Sequence, residues 1–455
     1  MFACPVQKKA SQFPQHPAII SGNKILSYQE LNAAVIATSQ YLQGQGLRRN
    51  QRVAIVARSS LEEIIILFAF WRMKAIACLL SPRLPKLILK RYTRELKCRH
   101  ILIPPSLTLP TRPVGTWGRE SKFKNSPPLA GGVRGGGTSF QKKYFYHFDQ
   151  LADIIFTSGT TGQPKAAVHT LGNHYFSARG ANEHIPFSTN DRWLLSLPLY
   201  HVGGLGILFR VFLRGGTLVI AQPQENLQKV LTRYRITHVS LVSTQLYRLL
   251  QNNFSGQYLK AILLGGSAIP ERLLKQAVQK KLPVYTTYGL TEMSSQVATS
   301  QKLSYKDSWP WPRILNYRQV KIARDGEILV KGKTLFKGYL KVNKIQKIRR
   351  WFKTGDLGYL NQNKELIVTG RKDKMFISGG ENIQPSEIEY YLRKNEDVKE
   401  VAIIAKADAE FGFRPVAFVT MKKGKKFNPT QLKSCLQKYL PKFKIPDLFC
   451  KELQS

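Results

Sequence analysis

Hydrophobic and polar positions along this 455-residue chain repeat with the periods of a layered α/β protein. From Pro17 to about Pro104, short apolar runs typical of buried strands alternate with longer apolar segments typical of helices. Residues 53–57 predict a strand and residues 61–71 a buried helix, while Ser27 with Glu30 three residues later predicts a capped helix start. Such alternation favours a largely parallel sheet covered by helices.

A second series of apolar runs continues this pattern and then changes. Strands are predicted at residues 193–197, 217–220, 238–242, 261–264, 284–287, 326–330, 365–368 and 401–405, and helices at 245–251 and 386–392. We expect an α/β fold with a large N-terminal domain of layered sheets and helices, residues 1–370. A small mobile α+β C-terminal domain, residues 371–455, should follow it.

One segment interrupts the periodic pattern. Residues 121–140 contain a run rich in glycine and proline, at 126–137, that cannot pack a hydrophobic core. We interpret the segment as an inserted flexible loop without a catalytic role.

The charge of the chain is extreme. Lys and Arg number 70 against 28 Asp and Glu, which gives a formal net charge of +42 and favours anionic partners. Nucleic acid or an anionic membrane would be such a partner, but no zinc-finger or RNA-binding signature accompanies the charge. The preferred interpretation is a lysine-biased composition whose field attracts small anionic substrates, with no nucleic-acid partner.

Cysteine usage and apolar stretches point to a reducing compartment. The five cysteines are widely spaced and form no Cys-x-x-Cys pair, which favours free thiols over a disulfide framework or a zinc site. The longest apolar stretch, residues 64–71, is far shorter than the ~18 residues of a membrane span. Residues 1–10 lack the apolar core of a signal peptide. We therefore expect a cytoplasmic protein without a membrane span; the sequence leaves its oligomeric state open.

The segment 156–165, Phe-Thr-Ser-Gly-Thr-Thr-Gly-Gln-Pro-Lys, carries the clearest chemistry in the chain. It follows an apolar strand-like run, 151–156, and combines four hydroxyl side chains with two glycines and a closing lysine. Glycines let the backbone approach a ligand closely, and amides and hydroxyls can then donate to its oxygens. The segment predicts a polyphosphate-binding loop, although Gly159 and Gly162 are too close together for the common P-loop.

Further motifs follow in a fixed order. They are Tyr-Gly-Leu-Thr-Glu at 288–292, Lys-Thr-Gly-Asp-Leu-Gly at 353–358, Gly-Arg-Lys-Asp at 370–373 and Gly-Gly-Glu-Asn-Ile-Gln-Pro at 379–385. With the segment 156–165, this series resembles the adenylate-forming superfamily of acyl-CoA synthetases, peptide-synthetase adenylation domains and luciferases, over residues 18–446. The resemblance implies a ligase that uses ATP, Mg²⁺ and coenzyme A. A carboxylate would first form an acyl-adenylate, and a thiol would then displace AMP.

The resemblance also assigns roles to individual residues. Nucleotide binding falls to Thr157, Ser158, Gly159, Thr160, Thr161, Gly162, Lys165, Gly265, Gly266, Ser267, Tyr288, Gly289, Asp356 and Arg371. The catalytic candidates are Thr291 at the α-phosphate, Glu292 as the Mg²⁺ ligand and His201 as a gate to the acyl pocket. Asp373 matches the hinge of the small domain, and Gly379 and Gly380 match the thiol tunnel.

Substrate choice depends on a different region. Candidate substrate-binding residues are His201, Arg210, Ser240 and Gly289. Arg210 lies in an otherwise apolar segment, where it would suit a second substrate carboxylate because arginine offers a two-pronged match. This arrangement resembles the 2-succinylbenzoate–CoA ligase family of menaquinone and phylloquinone biosynthesis. Three alternatives stay open: another acyl- or aryl-CoA ligase, a basic nucleic-acid-binding protein, or an inactive remnant.

The C-terminal region departs from the superfamily pattern. Those enzymes carry a lysine in a Gly-Lys context well beyond the segment that matches residues 440–446. In this sequence Lys451 comes too early and lacks the glycine, and Lys425 precedes the predicted helix 431–440. The departure predicts an incomplete C-terminal domain and adenylation slower than thioester formation.

Overall fold

The computed structural model describes residues 1–103, 143–157, 164–252, 254–304, 311–341, 344–348 and 350–451. The predicted insertion at 121–140 lies outside these ranges. So do six residues of the predicted phosphate loop, Ser158, Gly159, Thr160, Thr161, Gly162 and Gln163.

Eleven α-helices occur in the described ranges. They are α1 (Pro5–Gln12), α2 (Tyr28–Gly44), α3 (Leu61–Met73), α4 (Lys86–Glu95), α5 (Leu171–His184), α6 (Val202–Arg214), α7 (Leu227–Arg233), α8 (Ser243–Gln251), α9 (Glu271–Gln279), α10 (Pro385–Leu392) and α11 (Pro429–Gln437). The predicted cap is confirmed. The Ser27 hydroxyl accepts from the Glu30 amide at 3.2 Å, and the Ser27 amide donates to the Glu30 carboxylate at 2.8 Å.

The strands of the described ranges carry labels in chain order. They are β1 (Phe2–Ala3), β2 (Pro17–Ser21), β3 (Lys24–Ser27), β4 (Arg52–Val56), β5 (Ile76–Leu80), β6 (His100–Leu102), β7 (Phe145–Tyr146), β8 (Leu151–Thr157), β9 (Lys165–Thr170), β10 (Arg192–Leu194), β11 (Thr217–Ile220), β12 (His238–Leu241), β13 (Ala261–Gly265), β14 (Val284–Leu290), β15 (Ser295–Thr299), β16 (Arg313–Ile314), β17 (Arg318–Ile322), β18 (Glu327–Gly332), β19 (Gly338–Lys341), β20 (Lys344–Lys347), β21 (Phe352–Leu360), β22 (Leu366–Arg371), β23 (Phe376–Ser378), β24 (Glu381–Ile383), β25 (Val398–Asp408), β26 (Gly412–Met421) and β27 (Leu448–Lys451).

Two large sheets form the body of the molecule. One has the order β16-β15-β14-β13-β12-β10-β11-β2-β3, and the other has the order β20-β19-β9-β8-β5-β4-β6. In the first sheet the strands from β14 to β2 run parallel, as the alternating pattern predicts, and antiparallel pairs lie at both ends. In the second sheet β8, β5, β4 and β6 run parallel, and β9, β19 and β20 continue the sheet from β8 with antiparallel pairing. The largest hydrophobic core includes α3 and α6, whose Trp71 and Phe212 side chains are fully buried.

Three smaller sheets complete the described fold, and one of them is the antiparallel pair of β1 and β7. Strands β17, β18, β21 and β22 form an antiparallel sheet. Strands β23 to β27 form the C-terminal sheet, against which α10 and α11 pack with a hydrophobic core of their own. The expected α/β class is therefore confirmed, with a large N-terminal unit and a small C-terminal one. No helix in the described ranges is long and apolar enough to cross a membrane.

Strand β14 is longer than the sequence predicts. We expected it to end at Thr287, but it continues to Leu290 because β15 pairs with it antiparallel across Thr287 to Leu290. Tyr288 and Gly289 therefore lie within the strand, and Thr291 begins a short 3₁₀ helix that ends at Met293.

Candidate active site

A buried carboxylate links the strands on either side of the phosphate-loop segment to the Thr291 motif. Asp153 on β8 and His169 on β9 lie in paired positions of the two strands and join Asp153 Oδ1 to His169 Nδ1 at 2.9 Å. The other carboxylate oxygen lies 2.6 Å from His174 Nε2 on α5. All three side chains are inaccessible to solvent.

His169 carries a positive charge in this arrangement. Its second ring nitrogen, Nε2, lies 2.8 Å from the backbone oxygen of Thr291. A carboxylate and a carbonyl can only accept, so both nitrogens must donate and the ring is an imidazolium. Burial opposes this charge, but the Asp153 carboxylate outweighs it and raises the pKa of His169 above its ordinary value. Burial would likewise raise the pKa of Asp153, yet the two imidazoles hold it well below its usual range.

Three of the residues predicted to bind nucleotide converge at the end of β14. The Asp356 carboxylate accepts from the Tyr288 hydroxyl at 2.6 Å and from Arg371 Nη1 at 2.5 Å. Arg371 also donates to Asp373 through Nε at 2.7 Å and Nη2 at 3.1 Å, so the predicted hinge residue belongs to the same network. Asp356 is buried, and desolvation raises its pKa despite these partners.

The predicted metal ligand lies beside the phosphate-loop hairpin. Glu292 Oε1 accepts from the Tyr339 hydroxyl at 2.5 Å, and the Lys165 ammonium lies 5.4 Å from the centre of the Tyr339 ring. The Thr157 hydroxyl contacts the Lys165 carbonyl at 3.5 Å across the same hairpin. Tyr339 therefore connects Glu292 to Lys165, the last residue of the loop, and Lys165 contacts Thr157 across the hairpin.

The turn after β13 has the conformation that glycine favours. Gly266 has φ of +88°, and a Cβ on Gly265 would lie 2.6 Å from the Thr287 side chain. The Ser267 hydroxyl lies 3.1 Å from that of Ser243. Gly289 is equally constrained, since a Cβ there would lie 2.2 Å from the Ser295 carbonyl oxygen. These glycines bring the turn and β14 together at the carboxyl ends of parallel strands, where ligands bind in such sheets.

Arg210 is a buried cation without an ion pair among the described residues. It lies on α6 with 2% of its surface exposed, and its guanidinium carbon is 5.4 Å from the Trp193 ring centre. Nη2 donates to the Ser295 hydroxyl at 3.3 Å, while Nε has no partner in the described part of the chain. Burial lowers the Arg210 pKa to about 10, so the side chain stays charged at neutral pH. Ser240 lies behind it and accepts from Trp193 Nε1 at 3.3 Å.

The small C-terminal unit contacts this region through the segment around Gly380. Glu381 Oε2 lies 3.1 Å from His201 Nε2, and Glu381 Oε1 accepts from Arg83 at 3.2 Å. Burial alone would raise the Glu381 pKa, but hydrogen bonding and charge from His201, with Arg83, hold it below its usual value. A Cβ on Gly380 would lie 2.7 Å from Val242, which shows how closely the two units approach each other.

Several residues of this site were not predicted from the sequence. They include Asp153, His169, His174, Tyr339 and Ser295, and also Arg318, whose Nε donates to the Gln296 carbonyl beside Ser295 at 2.8 Å. Asp153 did carry a signal, because it is the one charged residue in the apolar run 151–156. A buried aspartate in a strand requires a partner, and His169 and His174 were available. Ser295 and Arg318 carried no comparable signal.

A large α/β unit with a nucleotide-type site at its strand ends, and a small unit docked against it, defines a two-part nucleotide-dependent enzyme. The chain belongs to the AMP-binding enzyme family, which matches residues 6–340, and residues 387–454 match the AMP-binding enzyme C-terminal domain. It is an acyl-CoA ligase of the AMP-forming type.

Named relatives extend this finding. The 2-succinylbenzoate–CoA ligase of Geobacillus sp. (strain WCH70) is 32% identical over 459 residues, covering 97% of this chain and 92% of the relative. A double mutant of o-succinylbenzoate CoA synthetase from Bacillus subtilis, bound with the product analogue OSB-NCoA, has a TM-score of 0.85 at 28% identity and covers 100% of this chain and 95% of its own. The Bacillus subtilis enzyme with ATP and magnesium ion has a TM-score of 0.70 at 29% identity, covering 99% and 96%.

The buried pair predicts a characteristic dependence of stability on pH. Replacing His169 with Gln should lower the free energy of unfolding at pH 6 by about 3–5 kcal/mol, because it leaves Asp153 short of a charged partner. Folding raises the pKa of His169, so its contribution is complete below about pH 6.5 and is lost as the pH rises through the raised pKa. Denaturant unfolding of wild type and His169→Gln between pH 6 and 9 should show the difference shrinking.

His238 provides a control of opposite sign. It is also fully buried, but burial lowers its pKa, so its neutral form is the one that folding favours. The difference between wild type and His238→Gln should therefore grow as the pH rises through the ordinary histidine range. A His169 difference that stays constant with pH would contradict the imidazolium assignment.

Proposed function

We propose that this protein joins 2-succinylbenzoate to coenzyme A and converts ATP to AMP and pyrophosphate. The observation that carries the choice of acid is Arg210, a buried cation with an unpartnered Nε beside the predicted acyl pocket. The names of the relatives support the same choice.

The chemistry of Arg210 favours an acid with two carboxylates. A buried guanidinium without a counter-ion is costly, and a ligand carboxylate would offset that cost with two parallel hydrogen bonds. The Trp193 ring beneath the guanidinium and the neighbouring Phe209 suit an aromatic substrate body. With one carboxylate at Arg210, the other remains for activation.

The residues at the end of β14 fit a nucleotide. Asp356 is a carboxylate that already accepts from two donors, and the hydroxyls of a ribose would offer the same kind of hydrogen bond. Arg371 donates to Asp356 through Nη1 and to Asp373 through Nε and Nη2, and we propose that it reaches ribose and phosphate by exchanging its bonds to Asp373. We assign the adenine end to Tyr288 and the Gly265–Ser267 turn, and the phosphates to Thr157, Lys165 and the loop between them.

Glu292 fits Mg²⁺, because that ion takes one or two carboxylates together with substrate phosphates. When bound, Mg²⁺ would neutralise charge on the phosphates. The chain itself supplies fixed donors: Thr291 contributes its hydroxyl, and His169 holds the Thr291 carbonyl so that the short helix keeps its orientation. Donors fixed before the reaction stabilise developing negative charge at little cost in reorganisation.

The orientation of the small unit supports the thioester-forming half of the cycle. The TM-score is higher with the complex of the product analogue than with the complex of ATP and magnesium, 0.85 against 0.70, although both proteins come from Bacillus subtilis. We propose that Gly379 and Gly380 line the thiol path in this orientation. We also propose that Glu381, through its contact with His201 Nε2, holds this predicted gate residue away from the acyl pocket. The boundary of the mobile unit would then lie at 371–373, where Arg371 binds Asp373.

An acyl- or aryl-CoA ligase with another acid is the main alternative. It would accept monocarboxylates as well as 2-succinylbenzoate and would be insensitive to the charge of Arg210. We also propose a cytoplasmic location, which the use of ATP and coenzyme A supports.

Replacing Arg210 tests the choice of acid. Arg210→Met should raise the KM for 2-succinylbenzoate by about 10- to 100-fold, the effect of losing one charged hydrogen-bonded partner, and should leave the KM for ATP unchanged. Release of pyrophosphate with 2-succinylbenzoate and with benzoate would measure it. Arg214→Met is the matched control, since Arg214 lies one turn further along α6 and is exposed. Equal effects of Arg210→Met on the two acids would exclude the assignment.

Replacing Glu381 tests the role of the small unit. Glu381→Gln removes the charge that holds both His201 and Arg83, so thioester formation from ready-made acyl-adenylate should slow by about tenfold. Pyrophosphate release should stay near the wild-type rate, because that step does not require the contact. Glu400→Gln, at an exposed position of the same unit, should change neither rate. A parallel loss in both half-reactions would show that Glu381 only supports folding.

A further inference from the structure

The turn between Thr291 and β15 has an unusual backbone. Ser294 and Ser295 have φ of +54° and +106°, and they form the one adjacent pair of non-glycine residues with positive φ in the described chain. Side chains with a Cβ disfavour this region, and such strain persists only where the surroundings enforce it. The residues that enforce this strained conformation therefore indicate which side chain the turn has to orient.

Arg318 at the start of β17 is the main element that holds the turn. Its Nε donates to the Gln296 carbonyl at 2.8 Å, and its Nη2 donates to the Ser177 carbonyl at 2.9 Å and hydroxyl at 3.2 Å. The Ser177 hydroxyl in turn donates to the Ser294 carbonyl at 2.7 Å. Arg318 thus ties β15 to α5 on both sides of Ser295.

Arg318 stays charged although it forms no ion pair in the described ranges. It is 6% exposed, and its hydrogen bonds go to neutral oxygens. Burial, with a smaller effect of the nearby Arg210 charge, lowers its pKa to about 9. The carboxylate of Glu183 acts on it from a distance but is bound by Arg179. Two buried cations, Arg210 and Arg318, therefore lie near each other, and the charge of each increases the free energy required to bury the other.

The strained turn presents one side chain to the acyl pocket. The Ser295 hydroxyl accepts from Arg210 Nη2, and a Cβ on Gly206 would lie within 3.6 Å of both side chains. Arg210 Nε is left without a partner by this arrangement. The Ser295 hydroxyl thus fixes Nη2 of the guanidinium and leaves Nε available to donate to an anion.

We propose that Ser295 and Arg318 determine specificity for a dicarboxylate. Ser295 positions the Arg210 guanidinium, and Arg318 positions Ser295 and adds a second positive charge behind the pocket. The inference rests on the proposed function, since it needs an acid whose second carboxylate reaches Arg210. Neither residue touches the reacting carboxylate, so both act on selectivity rather than on the chemical step.

A pair of Ser295 variants separates positioning from folding. Ser295→Ala removes the hydroxyl and keeps the backbone strain, whereas Ser295→Gly removes both. Both should raise the KM for 2-succinylbenzoate about fivefold, the effect of one neutral hydrogen bond, with kcat, the KM for ATP and benzoate turnover unchanged. Ser295→Gly should melt at or above the wild-type temperature. Ser300→Ala, a buried serine bonded to Thr286 and Gln301, is the control and should leave selectivity unchanged.

A double-mutant cycle tests whether Ser295 acts through Arg210. In an Arg210→Met background, Ser295→Ala should have no further effect on the KM for 2-succinylbenzoate, because residues that act through one another are not additive. A full fivefold effect in that background would overturn the proposal. Arg318→Lys keeps the charge but replaces the two nitrogens that donate to Gln296 and Ser177 with a single ammonium, so it should loosen the turn and lower the preference for the diacid over benzoate. An unchanged preference in a folded Arg318→Lys protein would overturn the role of Arg318.

Calorimetry without ATP keeps this proposal distinct from the proposed function. Wild-type protein that binds 2-succinylbenzoate but releases no pyrophosphate would contradict the proposed function, and the variants could still be ranked by their dissociation constants. Loss of diacid affinity in Ser295→Ala would then support the proposal, and equal affinity would overturn it. Wild-type protein that binds benzoate as well as the diacid would overturn both.

Discussion

The buried carboxylate of Asp153 is the interaction on which the site depends. It faces no solvent, and its charge is tolerated only because His169 and His174 donate to its two oxygens. Through the second nitrogen of His169, the same charge reaches the Thr291 carbonyl. The hairpin β8–β9 and the end of β14 belong to different sheets, and this chain of hydrogen bonds fixes the position of one against the other.

Arg318 and Arg210 are two of the three arginines that are buried in the described ranges, and they use their donors differently. Arg318 directs its donors to backbone and hydroxyl oxygens, so its hydrogen-bonding capacity is used within the protein. Arg210 has one protein hydroxyl, an aromatic face and an unpartnered nitrogen. The donors of Arg318 stabilise the turn, whereas Arg210 retains a nitrogen that a ligand carboxylate could bind. This difference is the reason for proposing Arg210, and not Arg318, as the residue that binds substrate.

How far the sequence could predict this structure depends on the distance between partners. The Ser27 cap was predictable because Glu30 is three residues away. The strand β11 was predictable at its bounds because three apolar residues follow the β-branched Thr217, and all four residues are buried. Motifs indicated Tyr288, Asp356 and Arg371, which the structure brings together. Ser295 and Arg318 were not predictable, because nothing in the local sequence shows that a serine has φ of +106° or that an arginine 23 positions later holds it there. The sequence does not show that a cation is buried, because its burial depends on how the sheets pack together.

The contacts of the small unit differ in kind from those inside the large one. Glu381 meets His201 and Arg83 at side chains that remain 41% and 57% exposed, and Glu410 meets the exposed Arg248. The exposed Arg248–Glu410 pair contributes little, about 0–1 kcal/mol, and solvent screens the exposed His201 and Arg83 partners of the buried Glu381. The Asp153 cluster is not screened in this way, and any opening would leave a bare charge in the core. The strongest electrostatic contacts are therefore buried inside the large unit, and weaker ones lie where the small unit meets it.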